Sequence, residues 1–311
     1  MCLMYLFNPI HEHRLKKAVA SCGLYKNDMK SLVPQPALYP IMYDHMTRGR
    51  LSADGKLSPA RPDGTVPKLL FIGLDAVRAD LFPSIKTYPD SGIMEVLREG
   101  EAYLGHAGGP KRKFQRCLTG PGWASLLTGT WADKHGITGT LETSKVPTII
   151  RTFNEMGIAS SFHAIFHRFF DAFFKNDAEA QPDKFVQEKT DIDVAYNMIE
   201  KIEAGQDTIF GVFDRCDGAG HRHGFYPKND NDYEFAFRDN DGVVRTMLNA
   251  LKKREARLNA EAKASARLPK EDWLIVVTTD HGGYPWTHGT MFMENLMWST
   301  TWLVLNKKGL F

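Results

Sequence analysis

The stretch from Trp273 to Gly289, WLIVVTTDHGGYPWTHG, constrains the chain most, because an apolar β-branched run stops there abruptly at potential metal ligands. Trp273 to Thr279 carries no charge, which suits a strand buried on both faces of a parallel sheet. Asp280 and His281 follow at its carboxyl end, where ligands collect in open α/β sheets. Gly282 and Gly283 permit a tight turn, and His288 returns soon after. A carboxylate and two imidazoles suit zinc, but a zinc site needs at least three protein ligands, and a catalytic one keeps a position open. Taken alone, the stretch fits equally well a strand end whose Asp caps a turn and whose histidines are exposed. The choice depends on what the other strand ends carry.

A length of 311 residues allows one large α/β domain or two smaller ones, and 43% hydrophobic with 24% charged residues is ordinary for a globular chain. A net charge of +2 argues against nucleic acid or an anionic membrane as the main partner. Cys2, Cys22, Cys117 and Cys216 lie far apart, which fits reduced thiols better than a disulfide framework or a thiolate zinc site. No apolar run reaches the length of a membrane helix. At the N-terminus, MCLMYLFNPIHEHRLKK, charge follows the apolar residues, the reverse of a secretory signal, and a cytoplasmic location is expected.

Residues 1–66 are expected to form a loop-rich extension, since RGRLSADGKLSPARPDGTVPK is dense in Gly, Pro, Ser and charge. His11 and His13 are two apart and would face opposite ways on a helix. Lys68 to Leu74, KLLFIGL, is the first buried strand expected, and it too ends in a carboxylate, Asp75. Gly92 to Glu99 is amphipathic and stops at Gly100, as a helix would. Thr119 stands before Gly120-Pro121-Gly122, a sharp turn, with a short helix expected from Trp123 to Thr128. A hydroxyl before a helix start meets free N–H groups and the positive end of the dipole, favourable for phosphate, although Thr is also a common N-cap. Met156 to Phe166 fits a strand, followed by a helical HRFFDAFF; His163 and His167 have the spacing of one helix face, though their aromatic neighbours favour packing. An amphipathic helix is expected over Thr190 to Ala204 and a strand over Thr208 to Phe213. That strand leads into DRCDGAGHRHGF, where Asp217 and His221 are separated by residues that let both point at one ion, with Asp214 and His223 as competitors or supporting contacts. Val243, Val244, Met247, Leu248, Leu251 and Leu258 mark the core stripe of a helix that leads into the opening strand.

Asp75, Thr119, Asp217, His221, Asp280, His281 and His288 thus all lie at or just after a strand end or turn. In the order LDAVRAD, TGPGWASLLTG with HGI, DGAGH, and TTDHGG with HG, the chain resembles the alkaline phosphatase superfamily, and within it the nucleotide pyrophosphatase/phosphodiesterase branch, over about residues 67 to 305. The resemblance implies a three-layer α/β/α sandwich with a mostly parallel central sheet, formed by residues 67–311 and shortened at the C-terminus. It implies two divalent metal ions, zinc in most relatives, one held by Asp217, His221 and His288 and the other by Asp75, Asp280, His281 and the Thr119 oxygen. The implied activity is hydrolysis of phosphodiester or pyrophosphate bonds in a small, nucleotide-type phosphorylated substrate, with Thr119 as nucleophile.

The turn departs from animal members of the branch, which usually place Asn where Gly122 stands, so the oxyanion contact must come from elsewhere. A sulfatase would need Cys or Ser in place of Thr119, and Cys117 is two residues too early. A phosphomonoesterase or mutase shares the same metal core. A non-catalytic binding protein that kept the fold is the alternative of a different class, and no ligand or nucleophile position speaks for it. Phe114, Trp123, Tyr284 and Trp286 are close enough in sequence to the ligands to stack a base, although such aromatics more often pack.

Overall fold

The computed structural model describes the backbone of residues 2–109, 115–227, 232–265, 270–285, 287–288 and 296–311. The side chain of His11, together with Phe114 and Trp286, lies outside the described set. Among the described residues the strands are β1 (Val33–Pro34), β2 (Val66–Leu74), β3 (Glu101–His106), β4 (Ser160–Ala164), β5 (Phe185–Gln187), β6 (Thr208–Phe213), β7 (Glu271–Thr278) and β8 (Thr300–Leu305). The helices are α1 (Cys2–Cys22), α2 (Leu38–Thr47), α3 (Gly92–Glu99), α4 (Thr119–Thr128), α5 (Ala132–His135), α6 (Ile149–Glu155), α7 (Lys175–Ala180), α8 (Asp191–Ala204), α9 (Arg215–His223), α10 (Asp232–Ser265) and α11 (Leu296–Ser299).

One sheet contains all the strands, in the order β1-β3-β8-β7-β2-β6-β4-β5. Every pairing is parallel except those of β8, which runs antiparallel to both β3 and β7. The period-2 geometry of strands divides their side chains between two cores. Leu70, Ile72 and Leu74 of β2 join Ile275 and Val277 of β7 under α3, α8 and α10, whereas Leu69 and Phe71 join Leu274 and Val276 under α2, α4 and α6. These are the three layers of an α/β/α sandwich, and burial on both faces explains why β2, β6 and β7 read as continuous apolar runs.

Residues 1–66 differ from the loop-rich extension expected. Leu15, Val19 and Cys22 of α1, and Leu38, Met42 and Met46 of α2, form buried stripes at helical spacing, and β1 extends the sheet edge by pairing with β3. Prolines concealed α2 in the sequence: Pro34 and Pro36 precede it, and Pro40 sits in its first turn, where a missing N–H costs nothing. His163 and His167 share no helix. His163 is buried in β4, with Nδ1 3.0 Å from Glu188 Oε1 and Nε2 3.0 Å from Ser161 Oγ, and HRFFDAFF forms only a π-type turn over Phe169–Phe173. No helix among the described residues is long and apolar enough to cross a membrane.

Candidate metal centre

β7, β2 and β6 are neighbours at the middle of the sheet, and their carboxyl ends deliver the acidic and imidazole side chains to one place. Asp75 is the first residue beyond β2, and its N–H continues the ladder to the Phe213 carbonyl at 2.9 Å. The chain then turns through Ala76, which has a positive φ of 60°. Two bonds hold that turn against β7: Ala76 N–H donates to Asp280 Oδ1 at 3.1 Å, and Val77 N–H donates to Thr279 Oγ1 at 2.9 Å. From α10, the Tyr233 hydroxyl donates to the Ala76 carbonyl and accepts from Arg78 N–H. The loop that carries Asp75 is therefore fastened on both sides.

DGAGH lies on α9. Asp217 and His221 are one helical turn apart, with His221 Nε2 3.4 Å from Asp217 Oδ2. Asp191 Oδ1 and Oδ2 accept from the Asp214 and Arg215 N–H groups at 3.1 and 3.0 Å, placing a carboxylate at the start of α9. His288 approaches from the segment after β7, with Nε2 3.1 Å from Asp217 Oδ1 and 3.0 Å from His221 Nε2. Phe225 wedges these pieces together, its ring edge-on to both His221 and His288. Gly220 and Gly283 make room for it, since a Cβ on either would fall within 2.3 Å or less of the ring.

Among the described residues, potential ligand atoms gather in two groups, each within 4.8 Å: Asp75, Asp280 and His281 form one, and Asp217, His281 and His288 the other, with His221 in neither. His281 therefore stands between the groups, its ring stacked on His288 at 4.1 Å between centroids. His281 Nδ1 is 2.8 Å from the Gly282 carbonyl, a contact that requires the proton on Nδ1 and leaves a lone pair on Nε2. That lone pair faces Asp75 Oδ1 at 3.6 Å and Asp280 Oδ2 at 3.4 Å, and all three atoms are buried without a hydrogen-bond partner. Three buried acceptors aimed at one another repel unless a cation or a captured proton lies between them. The donor set thus fits a divalent metal, and the separations approach the roughly 3.3 Å between ligands of a tetrahedral zinc.

Electrostatics agree. Burial, Asp280 and Asp217 push Asp75 well above the usual carboxylate range, and burial does the same to Asp280. Burial, with His288 beside it, drives His281 down to about 3, so the ring is neutral, as a ligand must be. Burial would raise Asp217, but hydrogen bonds from His221 and His288 outweigh it and hold this carboxyl below its ordinary value. Burial first, then Asp217 and Asp191, push Asp214 up to about 7.

Thr119 is the first residue of α4 and not its cap; extended Leu118 is the cap, and Pro121 is accommodated within the first turn. The N-terminus of α4 abuts the segment that carries Asp280, because a Cβ on Gly122 would come within 2.9 Å of both Cβ and O of Asp280. A side chain at Gly122 would therefore press on Asp280 unless α4 or the Asp280 segment shifted. Trp123 is fully buried, its indole N–H 2.9 Å from Asp75 Oδ2, so it packs and cannot stack a base. His223 Nε2 lies 3.2 Å from Asp232 Oδ2, directed at α10. Two contributors were not foreseen. Asp191 has the ordinary look of a helix start, and Gln35, in the region that promised no chemistry, donates from Nε2 to the Asp280 carbonyl across the sheet.

The model of the type I phosphodiesterase / nucleotide pyrophosphatase family matches residues 69–310. The chain belongs to this family. No curated protein matches it in sequence. Its fold is that of the alkaline phosphatase superfamily, and it is similar to a candidate sulfatase from Bacteroides fragilis, with 14% identity, 78% of this chain and 68% of that one covered, and a TM-score of 0.53. Murine ectonucleotide pyrophosphatase / phosphodiesterase 5 is 17% identical over 69% of this chain and 57% of its own, with a TM-score of 0.47. Phosphonoacetate hydrolase from Sinorhizobium meliloti 1021 is 13% identical over 75% of this chain and 59% of its own, also at 0.47. The chain therefore spans less than two thirds of the length of these last two.

Proposed function

We propose that the chain is a two-metal hydrolase that cleaves phosphodiester or pyrophosphate bonds of small nucleotide-type substrates through a covalent intermediate on Thr119, its catalytic domain being residues 67–311. The observation that carries the reading is the buried, unpartnered triplet of Asp75 Oδ1, Asp280 Oδ2 and His281 Nε2 at the end of a sheet whose neighbouring helix opens with Thr119. In this reading Asp217, His221 and His288 hold one divalent cation, and Asp75, Asp280 and His281, with Thr119 Oγ1, hold the other. Zinc suits this oxygen-and-imidazole donor set. Bound there, such cations lower the pKa of coordinated hydroxyls and neutralise phosphoryl oxygens.

Thr119 Oγ1 forms the new bond to phosphorus while the bond to the leaving oxygen breaks, and water then cleaves the phosphothreonine and restores the hydroxyl. The first N–H groups of α4, at Thr119 and Gly120, have no carbonyl within the helix to bond and supply the oxyanion contact that Gly122 cannot. His281, held neutral by burial, needs no deprotonation before binding a cation. His221, whose contact with Asp217 raises its pKa, must lose its proton first, so activity declines in acid.

Thr119→Ala tests this directly. Hydrolysis of bis-p-nitrophenyl phosphate should fall at least about 1,000-fold, a loss of about 4 kcal/mol in transition-state stabilisation, while zinc content is retained. Near-wild-type turnover by a preparation free of contaminating hydrolases would refute the nucleophile assignment. Faster cleavage of p-nitrophenyl phosphate than of the diester would identify a phosphomonoesterase instead.

A further inference from the structure

The Trp123 indole is buried among three constraints. Its N–H donates to Asp75 Oδ2 at 2.9 Å, its ring fills the notch left by Gly73, where a Cβ would lie 2.4 Å away, and it meets Phe71 edge-on at 6.1 Å. Trp123 is also one turn along α4 from Thr119, on the same face of the helix. One carboxylate oxygen of Asp75 is thus engaged and the other, Oδ1, is left unpartnered toward Asp280 and His281. We propose that Trp123 is a positioning residue: its indole N–H holds Asp75 so that only Oδ1 faces the cation, and it fastens the helix of the nucleophile to that ligand. The proposal rests on the two-metal reading. Hydrogen bonds from outside the ligand shell commonly change metal affinity by roughly 10- to 100-fold when removed. A purely space-filling tryptophan would lack this selectivity, because its loss would soften the fold without singling out one cation.

Trp123→Phe keeps an aromatic ring beside Gly73 and Phe71 and removes the donor. Zinc titration against a chromophoric chelator should show two ions in the wild type. In W123F one ion should bind as in the wild type and the other about 10- to 100-fold more weakly. Combined with Asp75→Ala, the substitution should add no further loss at that position. Two wild-type affinities in a folded W123F protein would overturn the proposal. A wild-type chain that takes up no zinc would defeat the two-metal reading itself, a separate and recognisable outcome. If W123F does not fold, the ¹⁵N-labelled indoles of the wild type decide. The resonance displaced by Asp75→Asn should resist solvent exchange and move as zinc is added; free exchange or indifference to zinc would be the contrary result.

Discussion

Gly122→Ala is expected to separate activity from stability. In the folded chain a Cβ there would lie 2.9 Å from Asp280 Cβ and from Asp280 O, and neither atom belongs to a flexible side-chain end. Ordinary carbon contacts begin at about 3.5 Å, so α4 must move away from Asp280 by roughly half an ångström or more. Alanine favours the helix over glycine by about 1 kcal/mol, while forcing a methyl into a packed interface costs about 1 to 3 kcal/mol. Net stability should therefore change by about 2 kcal/mol at most, a few degrees in Tm. Thr119 moves with the helix relative to Asp280. Displacements approaching 1 Å cost up to about 100-fold in rate, and a loss of about 10- to 100-fold in kcat is expected. Diester hydrolysis at saturating zinc, beside a thermal melt, measures both. A folded G122A protein with kcat within about twofold of wild type would refute the close coupling of this helix to the ligand loop.

Zinc at 100 times its Kd should stabilise the chain by about 2.7 kcal/mol, raising Tm reversibly with chelator, and an unchanged melt would contradict a preformed site. Phe225→Leu leaves part of the space between Gly220 and Gly283 unfilled; it should cost about 1 to 2 kcal/mol and weaken zinc at the Asp217 and His288 side, as competition with a chelator would measure. His45 and His135 are each pushed down to about 4, chiefly by burial. The unfolded chain, with ordinary histidines, binds more protons between pH 4 and 6.5. Stability should thus be full above about pH 6.5 and fall as pH drops toward 4, by up to about 3 kcal/mol per histidine. Urea unfolding of metal-free protein should show this loss, and His45→Gln should shallow it; an unaltered slope would clear His45 of any part.

Legibility followed the length of each element and the distance its contacts span. β2, β6 and β7 are buried on both faces and long enough to declare themselves as apolar runs, and each ends at a chemically distinctive residue. β1 and β5, with two and three residues, present no period to read. The glycines of α9 lower helix propensity and hide the helix, although the i,i+4 spacing that lets Asp217 and His221 point at one ion is legible in the sequence. The Gln35 contact to Asp280 spans 245 residues, and nothing local marks it. Trp123 looked like any aromatic beside a ligand; only the apposition of α4 and β2 reveals its bond to Asp75.

The central claim is that two cations occupy the ends of β2, β6 and β7, and elemental analysis of the purified, zinc-supplied chain, with diester and monoester hydrolysis run in parallel, tests it most directly. Close to two zinc ions per chain, faster cleavage of the diester, and loss of zinc in Asp75→Ala and His281→Ala are the expected results. A chain that retains no zinc and cleaves neither ester would contradict the claim.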